Sequence, residues 1–146
     1  MRIKVRSDFR SIAKNGLVHP GLRTEAEFYV LGASNEYYRV VDWDGEPILY
    51  PKELFEVLDS NVPSGWKFSE YDDGAYYLDP ASTARPGFFE DWHGSDGDRN
   101  AQLAARRAFR DELRRLAAEA RTEDRRLIEE ALERLLPGTE SAPAPE

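Results

Sequence analysis

The pattern of polar and hydrophobic positions marks three strand-like segments in the first third of the chain. Apolar and basic side chains alternate over 1–6, and β-branched and aromatic residues are concentrated in 26–33 and 37–51. These patterns predict a β-strand in each of the three segments. Asparagine, proline and glycine punctuate 7–24, which is therefore predicted to be mostly loop.

Turn residues divide two of the apolar stretches into predicted hairpins. Asp44-Gly45 interrupts 37–51, and Asp72, Asp73 and Gly74 separate the run that starts at Trp66 from the run that ends at Asp79. Glycine accepts the positive φ that such turns require. The first hairpin is expected to align four residues in one ladder, namely Tyr38, Val40, Ile48 and Tyr50.

Proline and loss of periodicity mark the middle of the chain. Pro51 ends the first hairpin, and 51–59 is predicted either as a helical turn followed by a closing strand or as one short helix. Residues 80–100 are predicted to be loop from their composition. Three aromatic residues in that stretch are too apolar for an unpacked linker and are expected to pack on the rest of the chain: Phe88, Phe89 and Trp92.

Helical periodicity begins at residue 99. Two apolar stripes with spacings of three and four residues predict two amphipathic helices, and Thr122 is a suitable cap for the second. The stripes consist of Phe109, Leu113, Leu116 and Ala120, and of Leu127, Ile128, Ala131, Leu132, Leu135 and Leu136. Pro137-Gly138 is predicted to end the second helix, and 138–146 is predicted to be a disordered tail. The stripes are expected to pack on each other, on the β part or on a partner, which includes a second copy of the chain.

Charge is concentrated in the middle of the sequence. The chain carries a net charge of −8, whereas residues 43–100 alone carry −9 and contain all three tryptophans. Such a surface repels phosphate backbones, which disfavours nucleic-acid binding, and it accelerates association with a basic protein. The alternative interpretation is that the charge serves only solubility.

The chemistry that the composition permits is narrow. The chain of 146 residues has no cysteine, which excludes disulfides and thiolate sites, and it has no apolar run long enough to cross a membrane. A cytoplasmic, soluble protein without a cofactor is the expectation. Neither an active-site motif nor a phosphate-binding glycine signature is present, so a non-enzymatic protein is predicted.

The many carboxylates of the chain raise two further hypotheses, a metal site and a glycosidase pair. A cluster around His93 offers hard metal ligands, but its spacing does not match a calcium loop, and no metal site is predicted. Its members are Glu90, Asp91, His93, Asp96 and Asp98. A glycosidase pair would need two carboxylates across a cleft, which nothing in the sequence establishes. The candidates are Asp42, Asp44, Glu70, Asp72, Asp73 and Asp79.

Aromatic rings beside this charge indicate a protein interface instead. Aromatic anchors surrounded by charge are typical of tight protein contacts, and one ring of each tyrosine pair is expected to face outwards. The predicted contact residues are Trp43, Asp44, Asp72, Asp73, Tyr76, Glu90, Asp91 and Trp92.

Residues 37–59, YYRVVDWDGEPILYPKELFEVLD, resemble the second half of an SH3-like barrel. They contain an aromatic pair that opens a strand, a turn, an aromatic-proline step and a closing segment, and strands in 2–6 and 26–33 would complete the barrel. Peptide-binding members of this class use residues at corresponding positions as a groove. The resemblance therefore implies a groove in this chain at Tyr38, Pro51 and Leu54. That groove implies the alternative function, an adaptor for extended peptides whose helices mediate dimerisation.

The longer pattern, LYPKELFEVLD followed by an aromatic hairpin and PGFFEDW, resembles immunity proteins of bacterial polymorphic toxins. This resemblance implies neutralisation of a toxin domain by tight binding, without catalytic residues. The predicted fold is therefore α+β, with an SH3-like barrel over 1–60, a hairpin and acidic aromatic loop over 61–98, and a helical hairpin over 99–137.

Overall fold

The computed structural model describes residues 1–9 and 21–135. The elements placed in full within these ranges are eight strands, two 3₁₀ turns and three α-helices, which confirms the α+β class. The strands are β1 (Arg2–Val5), β2 (Glu27–Tyr29), β3 (Gly32–Ser34), β4 (Tyr37–Val41), β5 (Pro47–Pro51), β6 (Phe55–Asp59), β7 (Lys67–Glu70) and β8 (Tyr76–Asp79). The helices are α1 (Phe88–His93), α2 (Arg99–Glu119) and α3 (Thr122–Arg134), and the 3₁₀ turns are Lys52–Leu54 and Ala81–Thr83.

The strands form two antiparallel sheets, with orders β2-β1-β6 and β5-β4-β3-β8-β7. The apolar segment 26–33, predicted as strand, is divided between them, because β2 pairs with β1 whereas β3 pairs with β4 and β8. Since β8 pairs with the edge of β3 that β4 leaves open, the second sheet extends outwards. Within the described residues the strands therefore do not close into a barrel.

The first predicted hairpin is confirmed in its register. Tyr38 pairs with Tyr50 and Val40 with Ile48, as the alternation predicts. Of the two alternatives for 51–59, the structure has the first, a 3₁₀ turn followed by the closing strand β6.

A buried carboxylate organises the turn between β4 and β5. Asp42 is 3% exposed and accepts hydrogen bonds from the Tyr50 hydroxyl at 2.7 Å and from the backbone N–H groups of Asp44 at 2.9 Å and Glu46 at 3.2 Å. Arg134, at the end of α3, donates to the backbone oxygens of Val41 at 2.7 Å and Asp42 at 3.2 Å. The last helix is thereby attached to the first hairpin.

The two long helices bury their predicted stripes, as far as Leu135, against each other and against the β part. Asp98 caps α2 by accepting a hydrogen bond from the backbone N–H of Ala101 at 3.0 Å. The cap predicted for α3 is wrong by one residue. Arg121 occupies the N-cap position without a side-chain hydrogen bond, and Thr122 is the first helical residue.

The loop predicted over 80–100 contains a 3₁₀ turn and the helix α1. Gly87 and Gly94 bracket α1 in left-handed conformations, with φ of 83° and 76°. A helix of six residues is too short to show helical periodicity in the sequence, which is why composition alone predicted a loop. The expectation that its aromatic residues pack is confirmed, since Phe88 and Trp92 are buried and Phe89 packs against the same cluster.

Two apolar clusters form the core. One joins the helical layer to Tyr29, Leu31 and Val41, and the other lies between the two sheets around Ile3 and Val40. Neither cluster contains a residue of 67–79. The second hairpin, β7–β8, is therefore placed outside both cores.

Four predictions fall partly or wholly outside the described residues: the loop over 7–24, the end of the second helical stripe at Leu136, the helix stop at Pro137-Gly138 and the tail 138–146. In the described ranges, none of the helices has the length and apolarity that a membrane span requires.

Substitution of Arg134 by methionine tests the attachment of α3. The variant keeps an apolar stem but loses both hydrogen bonds to the first hairpin, so the free energy of unfolding is expected to fall by about 2 kcal/mol in urea titrations. Arg107→Met, on the exposed side of α2, is the control, with an expected change within about 0.5 kcal/mol. Equal losses in both variants would contradict the role assigned to Arg134.

Candidate functional site

The predicted contact residues do not form one surface. Trp43 and Asp44 lie in the turn between β4 and β5, whereas Asp72 and Asp73 lie in the turn between β7 and β8. The pairing of Ser34 with Tyr77 places the second turn at the opposite end of the five-stranded sheet. The acidic segment is thus divided among separate parts of the molecule.

Trp43 is occupied by intramolecular contacts. Its ring is 40% exposed, and the guanidinium groups of Arg23 and Arg134 lie 4.5 and 5.0 Å from its centroid. These cation–π contacts hold the indole against the chain's own basic residues. Trp43 therefore contributes to the attachment of α3, and Asp44 beside it is exposed.

The predicted contact residues on α1 have different environments. Trp92 is 1% exposed and packs in the helical core, with the Arg106 guanidinium 4.4 Å from its ring centroid. Its prediction as a contact residue is wrong, because the face of α1 that carries it is turned towards α2. Asp91 forms an ion pair with Arg85 at 2.8 Å, and Glu90 is exposed at the edge of a cleft.

The three residues of the alternative peptide groove are mostly inaccessible. Tyr38 is 8% and Leu54 1% exposed, both belong to the cluster between the sheets, and Pro51 is half-buried. The Tyr38 ring makes an edge contact with Phe55, with centroids 6.1 Å apart. These side chains stabilise the fold and do not line an open groove.

The second hairpin combines exposed rings with negative charge. We call residues 67–79 the acidic hairpin. Three of its rings are among the most exposed large apolar side chains of the described residues: Phe68 at 56%, Tyr71 at 50% and Tyr77 at 40%. Its four carboxylates outnumber one lysine, which gives a net charge of −3. Asp72 and Asp73, both predicted contact residues, lie at its tip and are exposed.

The rings of the acidic hairpin support one another in pairs. Phe68 and Tyr76 stack on one face with centroids 5.4 Å apart, and Tyr71 and Tyr77 meet edge to face on the other at 6.0 Å. Such pairs stabilise a β-ribbon. The expectation that one ring of each tyrosine pair faces outwards is confirmed for Tyr77 and for Tyr37, which are each 40% exposed.

Polar contacts from two neighbouring turns hold the acidic hairpin in place. The Asn35 side chain donates to the backbone oxygen of Gly74 at 3.1 Å and accepts from the backbone N–H of Tyr76 at 2.8 Å. The Lys52 ammonium donates to the Tyr76 hydroxyl at 3.3 Å. These contacts replace the apolar packing that the hairpin lacks.

A cleft of about 530 Å³ lies between the acidic hairpin and the segment 83–95. Tyr71, Tyr77 and Asp79 line its hairpin side. At its base the Arg39 guanidinium lies 3.5 Å from the Phe89 ring centroid and donates a hydrogen bond to the Pro47 backbone oxygen at 3.4 Å. The buried Nε of Arg39 has no hydrogen-bond partner among the described residues.

Burial shifts the pKa of two groups in this cleft. Desolvation raises the pKa of Asp79 to about 6, although the Arg39 charge opposes the shift. Desolvation also lowers the pKa of Arg39 to about 10, against the attraction of Asp79 and Glu90. The absence of a Cβ at Gly32 makes room for the Asp79 carboxyl, since a Cβ there would lie 2.4 Å from Oδ1. The cleft thus contains a carboxyl group that changes charge near neutral pH.

Sequence reasoning missed Phe68, Tyr71 and Arg39 as site residues. The alternation in 67–79 carried a signal for the first two, because both faces of the predicted hairpin bear rings. The position of Arg39 opposite α1 depends on tertiary packing, which no local pattern encodes. In the described ranges, no three His, Asp or Glu side chains converge as ligands for a metal ion.

Comparison with protein-family models, curated proteins and solved structures gives no match for this chain.

The Asp79 carboxyl is expected to titrate with a midpoint near pH 6 in ¹³C NMR spectra. Because its folded pKa is raised above the unfolded value, burial of the charged form opposes folding above pH 6, and this opposition disappears as the pH falls from about 6 to about 4. Arg39→Met removes the charge that favours ionisation, so the midpoint should rise further. Arg85→Met, which breaks the ion pair with Asp91 instead, is the control and should leave it unchanged. A midpoint near that of an exposed aspartate, or no rise in Arg39→Met, would show that burial and the Arg39 charge do not set the pKa of Asp79.

Proposed function

We propose that this protein is a non-enzymatic binding protein that docks the acidic hairpin against a basic protein partner. The observation that carries the proposal is the coincidence of Phe68, Tyr71 and Tyr77, all exposed, with the carboxylates of Glu70, Asp72 and Asp73. The ring pairs stabilise the hairpin itself, but outside both cores they leave a large apolar area in solvent, and such exposed apolar area favours contact with a partner.

The physical chemistry of the hairpin fits such a partner. Large rings supply the buried contact area that dominates binding free energy, and they lose little conformational entropy on binding. The exposed carboxylates attract a basic surface over about 10 Å at moderate ionic strength and so accelerate association. The net charge of −8 on the whole chain acts in the same direction.

Within this function we propose the immunity type, in which the bound partner is a toxin domain that the hairpin covers. The resemblance of LYPKELFEVLD (49–59), the aromatic hairpin after it and PGFFEDW to toxin immunity proteins motivates this choice. An SH3-like arrangement of 1–60 belongs to the same proposal. Two features support that arrangement: the 3₁₀ turn at Lys52–Leu54 that precedes β6, and the pairing of β6 with β1. A cytoplasmic location would suit a protein that protects its own cell.

Affinity capture with matched variants tests the proposal. The chain is immobilised as wild type, as Asp72→Ala/Asp73→Ala and as Glu129→Ala/Glu133→Ala, which removes the same charge from the exposed side of α3. Wild type and the helix variant should capture a basic protein from lysate of the source cell. The hairpin variant should associate with it several-fold more slowly at low salt, and the difference should shrink as salt is added.

A growth assay tests separately whether the protein is of the immunity type. Expression of the captured protein in a bacterial host should stop growth, and co-expression of the wild-type chain should restore it, whereas the hairpin variant should restore it less. A captured protein that is acidic, or one that binds all three chains at the same rate in low salt, would contradict docking through the acidic hairpin. A harmless captured protein would contradict the immunity type alone.

A further inference from the structure

Strand β7 forms an open edge of the five-stranded sheet. Within the described residues it pairs with β8 on one side and with no strand on the other. The backbone N–H of Tyr71 donates to the backbone oxygen of Ala75 at 2.8 Å, which fixes the alternation of hydrogen-bonded pairs along the hairpin. By that alternation, the N–H and C=O groups of Phe68 and Glu70 point away from β8 towards the open edge.

The opposite edge of the same sheet is blocked at both ends. Pro47 and Pro51 stand at the two ends of β5, and the pairing with β4 directs both positions outwards, where neither residue has an N–H to offer. β7 contains neither proline nor a register shift, two of the devices that protect edge strands from pairing, and its charged residues Lys67 and Glu70 favour a partner strand of complementary charge. Of the two edges of this sheet in the described residues, the β7 edge is therefore the one that no proline interrupts.

We propose that β7 accepts an extended, basic segment of the partner as an additional antiparallel strand. This inference rests on the proposed function and specifies how the acidic hairpin binds. Phe68 and Glu70 determine which side chains the added strand needs at the two positions opposite them, because residues directly opposite each other share a face of the sheet. An apolar side chain fits opposite Phe68, and a lysine or arginine fits opposite Glu70. Because the added strand is antiparallel, its sequence from the N-terminus is a basic residue, then any residue, then an apolar residue.

Charge selects a basic segment over a second copy of the chain. A second copy would bring another hairpin of net charge −3, on a molecule of net charge −8, to the same edge. A basic strand instead places its charge beside Glu70 and near the exposed Asp72 and Asp73. Attraction to these groups and the backbone hydrogen bonds then act together.

A synthetic peptide provides the probe: acetyl-Thr-Lys-Thr-Val-Thr-Lys-Thr-Val-amide, with a glutamate version in place of lysine as the charge control. Amide exchange of the full chain, followed by NMR, should show slower exchange at Phe68 and Glu70 when the basic peptide binds. N-methylation of the lysine and valine residues should abolish binding, since their N–H groups face β7. N-methylation of the threonines, whose N–H groups face away, should not.

Protein variants give an independent test. Glu70→Pro removes an outward N–H that makes no bond to β8, so the hairpin remains paired while peptide affinity falls about tenfold below that of Glu70→Gln, which removes only the charge. Persistence of the Tyr71 to Ala75 hydrogen bond in the exchange data confirms that the variant is folded. The N-methylated peptides test the same point on the unaltered protein.

Several results would overturn the inference: equal binding of both N-methylated peptides, equal affinity of the glutamate peptide, no binding of the basic peptide, or dimerisation of the chain through β7. If the Asp72→Ala/Asp73→Ala variant loses affinity for the captured partner while Glu70→Pro retains the affinity of Glu70→Gln for it, docking through the acidic hairpin stands and strand addition fails. If neither variant changes partner binding, both proposals fail.

Discussion

The acidic hairpin is held to the rest of the molecule by backbone pairing, because no apolar core of the described residues reaches it. The pairs that join β8 to β3 are Ala33 with Leu78 and Ser34 with Tyr77, and the Asn35 side chain adds two hydrogen bonds across the turn. A short ladder with polar support fixes a strand pair in position but leaves its rings in solvent. The cleft, the open edge of β7 and the exposed aromatic pairs all follow from this arrangement.

The remainder of the molecule is stabilised by its apolar cores, and the sequence pattern indicates which faces are buried. Alternation predicted the first hairpin in the correct register, and the helical stripes predicted α2 and α3, since each of these elements buries one continuous face. The division of 26–33 between two sheets and the helix α1 were not predicted. Both depend on which neighbour packs against a short segment, and three to six residues are too few for a period to be visible.

The same limit explains the outcome for the candidate site. Charge and aromatic content led to Asp72 and Asp73, which are exposed because a turn rich in aspartate between apolar strands faces solvent. Trp92 and Trp43 have the same composition signal, yet Trp92 is in the core, and Trp43, although 40% exposed, already contacts Arg23 and Arg134. Composition indicates which residues are able to bind a partner, and only the packing of α1 and α3 determines which of them remain exposed.

Native-state hydrogen exchange tests most directly whether the acidic hairpin is held by its ladder and the polar contacts of Asn35 and Lys52, and not by an apolar core. If it is, the Tyr71 and Tyr76 amides exchange through a local opening of lower free energy than that of Val40, which is fully buried. Asn35→Ala should accelerate exchange at the hairpin by roughly fivefold and leave Val40 unchanged. Exchange of all three amides with one free energy, shifted together by the substitution, would show instead that the hairpin belongs to the cooperative core.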